Sequence, residues 1–205
     1  MCTVHIETIP CTLGSVKRII RYLLESQEHG ILFRWDLREA EQYIDTLVGY
    51  TDADFTGDSN DRKSTTGWIY LFNGLPISWA LKKQSLIMRS SMESELIAGS
   101  FTSVEGIWLI WLAKDFKHDL APICLHTDNQ SFIFYLKNDT SNTRTKHIDT
   151  HYHYTRDQIS KGNIELLYIS MLDNLADILT KPLSSRKHTS LLKHLRVKHV
   201  WRGVL

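Results

Sequence analysis

Two hydrophobic periods divide the chain. Behind Ser15, which suits an N-cap, Val16, Ile19, Ile20, Leu23 and Leu24 recur at helical spacing, with Lys17, Arg18 and Arg21 between them. Gly30 is expected to end this helix. Ile31-Leu32-Phe33-Arg34-Trp35 reads as a short strand, and residues 36–45 as a polar connector. The period then shifts. Leu47-Val48-Gly49-Tyr50-Thr51-Asp52 is an apolar, β-branched and aromatic run that delivers a carboxylate to its end, and the turn-rich Gly57-Asp58-Ser59-Asn60-Asp61 follows. Gly67-Trp68-Ile69-Tyr70-Leu71-Phe72 is a second strand. Asn73-Gly74 is a hairpin signal, and Ile77-Ser78-Trp79-Ala80-Leu81 is a third strand. Three strands joined by short turns predict an antiparallel meander.

Ser90 or Ser91 can cap a long helix, with Glu93 as capping-box partner. Its apolar positions run through Ala98, Val104, Ile107, Trp108, Ile110 and Trp111 to about Phe116. Pro122 precedes Ile123-Cys124-Leu125-His126-Thr127-Asp128, a fourth strand that again ends in an acid, and Asn129-Gln130 opens a short helix. His147 to Lys161 is predicted helical, stopped at Gly162. Ile164 to Ile169 is a fifth strand. Asp173 is the expected cap of a last core helix with Leu175, Ala176, Ile178 and Leu179, ended by Pro182. A basic amphipathic helix with Leu191, Leu192 and Leu195 closes the chain. The order predicts an α/β fold: a mixed five-stranded sheet, three antiparallel strands then two parallel, flanked by helices.

At 205 residues the chain supports one good core with a helical appendage. The expected divisions are an N-terminal helical segment over 1–45, an α/β domain over 46–183 and a basic helical tail over 184–205. The net charge of +1 gives no global sign of a nucleic-acid partner. Its distribution does more: no acid follows Asp177, whereas Lys181, Arg186, Lys187, Lys193, Arg196, Lys198 and Arg202 do. Such a tail either binds phosphates or presents a solvated helix face. The cysteines, Cys2, Cys11 and Cys124, are odd in number and lack CxxC spacing, which argues for reduced thiols and against a disulfide framework or zinc ribbon. No signal-like apolar region opens the sequence, and no continuous apolar run reaches the roughly 20 residues of a membrane span. An intracellular, cytoplasmic protein without a membrane partner is expected.

Four acids stand at element ends: Asp52, Glu95, Asp128 and Asp177. Taken singly, each reads as a turn or cap residue. Brought together they would repel and could not all stay ionised without cations, and hard oxygen ligands suit Mg²⁺ or Mn²⁺. Two such ions about 4 Å apart can clamp the attacking and leaving oxygens of a phosphodiester hydrolysis. His147, His151 and His153 lack the Cys or Glu that would complete a zinc pattern, so packing or nucleic-acid contact suits them better. Glu93 and Glu95 lie about 200° apart on a helix, so only one can enter a small site. Glu95 shares its face with Ala98, Gly99 and Thr102, whose small side chains would let the helix approach the sheet; Glu93 suits the cap.

Gly49-Tyr50-Thr51-Asp52-Ala53-Asp54, Asp61 to Gly67, Ile77-Ser78-Trp79 with Lys82-Lys83-Gln84, and Ser90 to Glu95 resemble the ribonuclease H domain of copia-type LTR retrotransposon Pol polyproteins. Asp128-Asn129-Gln130-Ser131, Arg144 to Asp149 and Asn174 to Leu183 continue the resemblance, which covers roughly residues 45–183 in order. Residues 15–35 resemble the family's segment after the reverse transcriptase, whose tyrosine–aspartate–aspartate motif is not in this chain. The resemblance implies a ribonuclease H-like fold and Asp52, Glu95, Asp128 and Asp177 as ligands of two Mg²⁺ ions, with Mn²⁺ an alternative. It implies endonucleolytic cleavage of the RNA strand of an RNA–DNA hybrid. The reverse transcriptase of the same element would be a partner, within a virus-like particle if the element is active. Arg62, Lys63, Lys82, Lys83, Arg144, Lys146 and His147 would meet the hybrid, with Asn129 and Gln130 at a helix N-terminus adding donors. Recombinase-type nucleases share the sheet but end in a glutamate; the order Asp-Glu-Asp-Asp here favours ribonuclease H. One departure stands out. Cellular ribonucleases H carry a histidine loop between strand five and the last helix, whereas Ser170-Met171-Leu172 is too short and has no histidine, so slow product release is expected unless another group such as His147 helps. The competing reading is an inactive retroelement remnant that only binds nucleic acid.

Overall fold

A computed structural model of the protein describes residues 13–33, 46–58, 60–120, 122–138 and 149–200. In chain order the elements are α1 (Leu13–Glu25), β1 (His29–Ile31), β2 (Leu47–Asp54), β3 (Thr65–Phe72), β4 (Leu75–Lys83), α2 (Ser91–Asp115), β5 (Ile123–Thr127), α3 (Gln130–Lys137), α4 (Asp149–Ser160), β6 (Ile164–Tyr168), α5 (Asp177–Thr180), α6 (Ser185–His194) and β7 (Val197–His199). They fall into two compact units, Phe33–Arg196 and Met1–Leu32 with Val197–Leu205.

The larger unit is built on a five-stranded sheet of order β4-β3-β2-β5-β6. β2, β3 and β4 are the antiparallel meander, and β5 and β6 add in parallel beside β2. The mixed sheet is the expected one, for a local reason. Asn73 and Gly74 both take positive φ, which a two-residue hairpin of matching twist requires. β4 starts earlier than the pattern suggested. The register slips between Tyr70 and Leu71, and the bulge brings Leu75 and Pro76 into the ladder of an edge strand, where a proline is tolerated.

α2 is the central helix. Ser90 accepts the Glu93 N–H at 3.2 Å, and the Glu93 carboxylate reaches back to the Arg89 N–H at 2.9 Å. This is the expected capping box, displaced one residue outward. Leu96, Ile97, Ile107 and Ile110 bury against the sheet with Tyr70, Ile123, Leu125 and Leu166. Two polar pins cross that core. Tyr70 Oη donates to the Thr102 carbonyl at 2.7 Å, and the Thr102 and Thr51 hydroxyls share a hydrogen bond at 2.9 Å. Gly106 makes the first possible, since a Cβ there would stand 2.3 Å from the Tyr70 oxygen. Gly99 does not serve the sheet, as its place in the Glu95 stripe suggested: its missing Cβ makes room for the Phe132 ring of α3. α2 is also long and apolar enough in composition to cross a membrane, but 61% of that stretch is buried inside the unit, as befits a core helix.

In the smaller unit β1 pairs antiparallel with β7, His29 opposite His199 and Ile31 opposite Val197. The sequence placed this strand at Ile31–Trp35. It starts earlier because its ladder partner is a short polar segment near the far end of the chain, which carries no strand signal of its own. Residues 34 and 35 lie outside the described residues.

Candidate active site

β2 is central and ends at the candidate site. Tyr50 stands beside His126 in the parallel β2–β5 ladder. Continuing that register by two residues sets Asp128 beside Asp52, so the two strand-end acids meet for a topological reason. Ligands of open α/β sheets gather at this carboxyl edge. Asp177 comes from the other side, as the first residue of α5. One oxygen each from Asp52, Asp128 and Asp177 lie within 4.8 Å of one another. Asp52 and Asp177 are buried and Asp128 partly so.

Two residues bring α5 down onto the sheet. Gly67 is the ladder partner of Asp52 on β3, and a Cβ there would stand 2.6 Å from Thr180 Cγ2. Asn174, fully buried, donates from Nδ2 to the Thr51 carbonyl at 3.1 Å and accepts the Ala176 N–H on Oδ1 at 3.1 Å. Asp173, the expected cap, does not fill that role. The side chain that meets a free N–H here is Asn174, whose amide can also serve the β2 carbonyl, a bond an ionised Asp cannot donate.

Glu95, on the first turns of α2, is outside that group of three but near enough for the charges of Asp52 and Asp128 to act on it. It is buried, and Oε2 has no partner. Burial, then the charges of Asp52 and Asp128, push its acidity well above the usual carboxylate range. Burial raises Asp128 too, against the opposing pull of Lys181, and burial followed by the Asp52 charge raises Asp54. A buried carboxylate oxygen without a partner, beside three converging aspartates, is a hard-oxygen set suited to a divalent cation. Glu93 stays with the cap.

Three contacts were not foreseen. The Thr180 hydroxyl donates to Asp52 Oδ2. Lys181 Nζ lies 2.8 Å from Asp52 Oδ1, 2.8 Å from Asp177 Oδ1 and 3.9 Å from Asp128 Oδ2. Lys187 Nζ pairs with Asp177 Oδ2 and donates to the Met171 carbonyl at 2.6 Å. Burial alone would lower the Lys181 ammonium, but its hydrogen bonds to Asp177 and Asp52 outweigh that and raise it. The one sequence signal was the four-residue spacing of Asp177 and Lys181, which sets them on one helix face.

The proposed substrate contacts divide. Lys82 and Lys83 share this end of the sheet, since Lys83 pairs with Thr65 and Thr65 with Asp54. Two strand spacings put them about 10 Å away. Lys83 is engaged by Asp58 and, at 2.9 Å, by Asp61, and Lys82 Nζ sits 4.7 Å from the centre of the Phe101 ring. Arg62 is in the same Asp58–Lys63 loop with positive φ, and the Lys63 N–H donates to Asp61 Oδ1 at 3.1 Å. Asn129 caps α3 by accepting the Phe132 N–H at 2.9 Å, with Gln130 as the first helical residue. Arg144, Lys146 and His147 lie outside the described residues. His151 hydrogen-bonds Ser100 at 2.9 Å and packs on Phe101, the packing role expected of it.

No protein-family model matches the sequence. Curated relatives do. The chain is 37% identical over 172 residues to a retrovirus-related Pol polyprotein from transposon RE2 of Arabidopsis thaliana, covering 83% of this chain and 11% of that one. It is 40% identical over 141 residues to the Pol polyprotein from transposon TNT 1-94 of Nicotiana tabacum, covering 69% of this chain and 11% of the relative. The chain thus spans about a tenth of the length of these relatives. Among solved structures, the N-terminal RNase H domain of rv2228c from Mycobacterium tuberculosis superposes with a TM-score of 0.51 at 9% identity, over 72% of this chain and 96% of that one, a likeness of fold. Sequence kinship and fold agree: the chain belongs to the Pol polyproteins of copia-type retrotransposons and has a ribonuclease H-like fold.

Proposed function

We propose that this domain hydrolyses the RNA strand of RNA–DNA hybrids within a retroelement's reverse-transcription machinery, using Mg²⁺ or Mn²⁺ held by Asp52, Glu95, Asp128 and Asp177. The observation that carries it is the convergence of Asp52, Asp128 and Asp177 at the carboxyl edge of β2 and β5; the buried Glu95 oxygen without a partner, on which the charges of Asp52 and Asp128 act, supports its addition to the set. When bound, two divalent ions would activate the attacking water and offset charge on the scissile phosphate. The chain's own part is positioning. β2 and β5 hold Asp52 and Asp128, and Asn174 and Gly67 seat α5 with Asp177. Lys82 and the N-terminus of α3 stand at the same edge to meet phosphates. The reverse transcriptase region of the element is the proposed partner and the cytoplasm the proposed location.

A labelled hybrid incubated with the chain and Mg²⁺ tests this. RNA-strand cleavage is expected, abolished by EDTA and by Asp52→Asn or Asp128→Asn, which remove a ligand charge at nearly constant shape. Unchanged turnover in either variant would remove that residue from the site. The second reading, a nucleic-acid-binding remnant without cleavage, draws on Lys181 and Lys187 already compensating Asp52 and Asp177. Hybrid binding without cleavage at any Mg²⁺ or Mn²⁺ concentration would favour it.

A further inference from the structure

We propose that Lys181 is a built-in counter-cation of the carboxylate cluster, which holds the cluster together while no divalent ion is bound and yields its place when one binds. The inference rests on the reading of this cluster as a divalent-metal site.

The positions make it a competitor. Lys181 Nζ bridges Asp52 Oδ1 and Asp177 Oδ1 and lies 3.9 Å from Asp128 Oδ2, so it touches all three aspartates of the group. The other oxygens of the two pairs are already engaged, that of Asp52 by the Thr180 hydroxyl and that of Asp177 by Lys187. A cation that takes Asp52 Oδ1 and Asp177 Oδ1 together must displace the ammonium that now bridges them. Without it, Asp52 would be buried with only the Thr180 hydroxyl against its charge, which is costly, whereas Asp177 would keep Lys187. The backbone at Lys181 is fixed, since its N–H donates to the Asp177 carbonyl at 3.0 Å and Lys181 itself is extended as the C-cap of α5, ahead of Pro182. The side chain is not boxed in. It is 28% exposed, on a flexible four-carbon stem, so Nζ can swing to solvent or to a phosphate with no movement of the main chain. Lys187 differs: its second bond is to the Met171 carbonyl, at the rim, where it ties α6 to the short link before α5. Lys181 therefore sets the cation concentration at which the site loads, and Lys187 does so less.

The test uses the full chain stripped with EDTA and titrated calorimetrically with Mn²⁺. Lys181→Met is expected to bind Mn²⁺ at least about tenfold tighter than wild type, the order set by losing one directly competing charge. Its melting temperature in EDTA should fall below that of wild type and recover on adding Mn²⁺. Equal or weaker Mn²⁺ affinity in Lys181→Met would overturn the proposal. Tight binding by the variant with none by wild type would support it. No binding by either protein would instead sink the metal-site reading beneath it. If Lys181→Met does not fold in EDTA, wild type alone decides: acylation of Lys181, read by peptide mass spectrometry, should rise several-fold with Mn²⁺. Labelling of Lys181 that stays flat in Mn²⁺-saturated protein would refute the displacement.

Discussion

Asn174→Ala is expected to damage this protein out of proportion to the atoms it removes. The side chain is fully buried and makes two bonds: its amide donates to the Thr51 carbonyl on β2, and its oxygen accepts the Ala176 N–H just ahead of α5. Each buried partner left unsatisfied costs about 1–3 kcal/mol, and there are two, so the truncation should cost about 2–6 kcal/mol. The loss should also be local. α5 has four residues, far too few to hold itself helical, and Asn174 and the Thr180–Asp52 bond tie it to β2. Urea unfolding followed by tryptophan fluorescence measures the global cost. Amide exchange at Leu179 and Lys181, whose N–H groups bond Ala176 and Asp177, measures the local one. Protection there should fall further than at β2 amides, and Mn²⁺ affinity should fall with it as Asp177 loosens. A cost below about 0.5 kcal/mol, with exchange at Leu179 and Lys181 unchanged, would refute the idea that Asn174 seats this helix.

The glutamate pair separates capping from chemistry: Glu95→Gln should abolish hybrid cleavage with the fold intact, while Glu93→Gln costs at most about 1 kcal/mol and leaves cleavage largely unaffected. A folded, inactive Glu93→Gln protein beside an active Glu95→Gln protein would reverse the assignment. Burial holds the His151 imidazole below its ordinary 6.5. The unfolded chain then takes up that proton first as pH falls, so the His151 contribution is complete above about 6.5 and is lost as pH drops through the folded value. His151→Gln should flatten this part of the stability profile between about pH 7.5 and about pH 5, and superimposable profiles would show that His151 does not titrate in this way.

Local chemistry was legible residue by residue. Asn73-Gly74 dictated the hairpin, Ser90 with Glu93 and Asn129 dictated two helix starts, and alternating apolar runs dictated the strands whose ends carry Asp52 and Asp128. A strand period together with helical crossovers leaves few arrangements, so the mixed sheet followed, and with it the meeting of two acids at one edge. What the pattern missed depends on partners far away in sequence. Asn174 rather than Asp173 seats α5 because the carbonyl that needs a donor belongs to Thr51, 123 residues earlier. Lys181 read as the start of a basic tail because its carboxylate at Asp52 lies 129 residues away. Gly99 serves Phe132 of α3, and β7 is a strand because β1 lies beside it. Propensity and capping act over a few residues and leave their mark in the local string. A buried donor, a counter-charge or a missing Cβ answers to whatever atom the closed fold sets opposite it, and only the tertiary structure decides which atom that is.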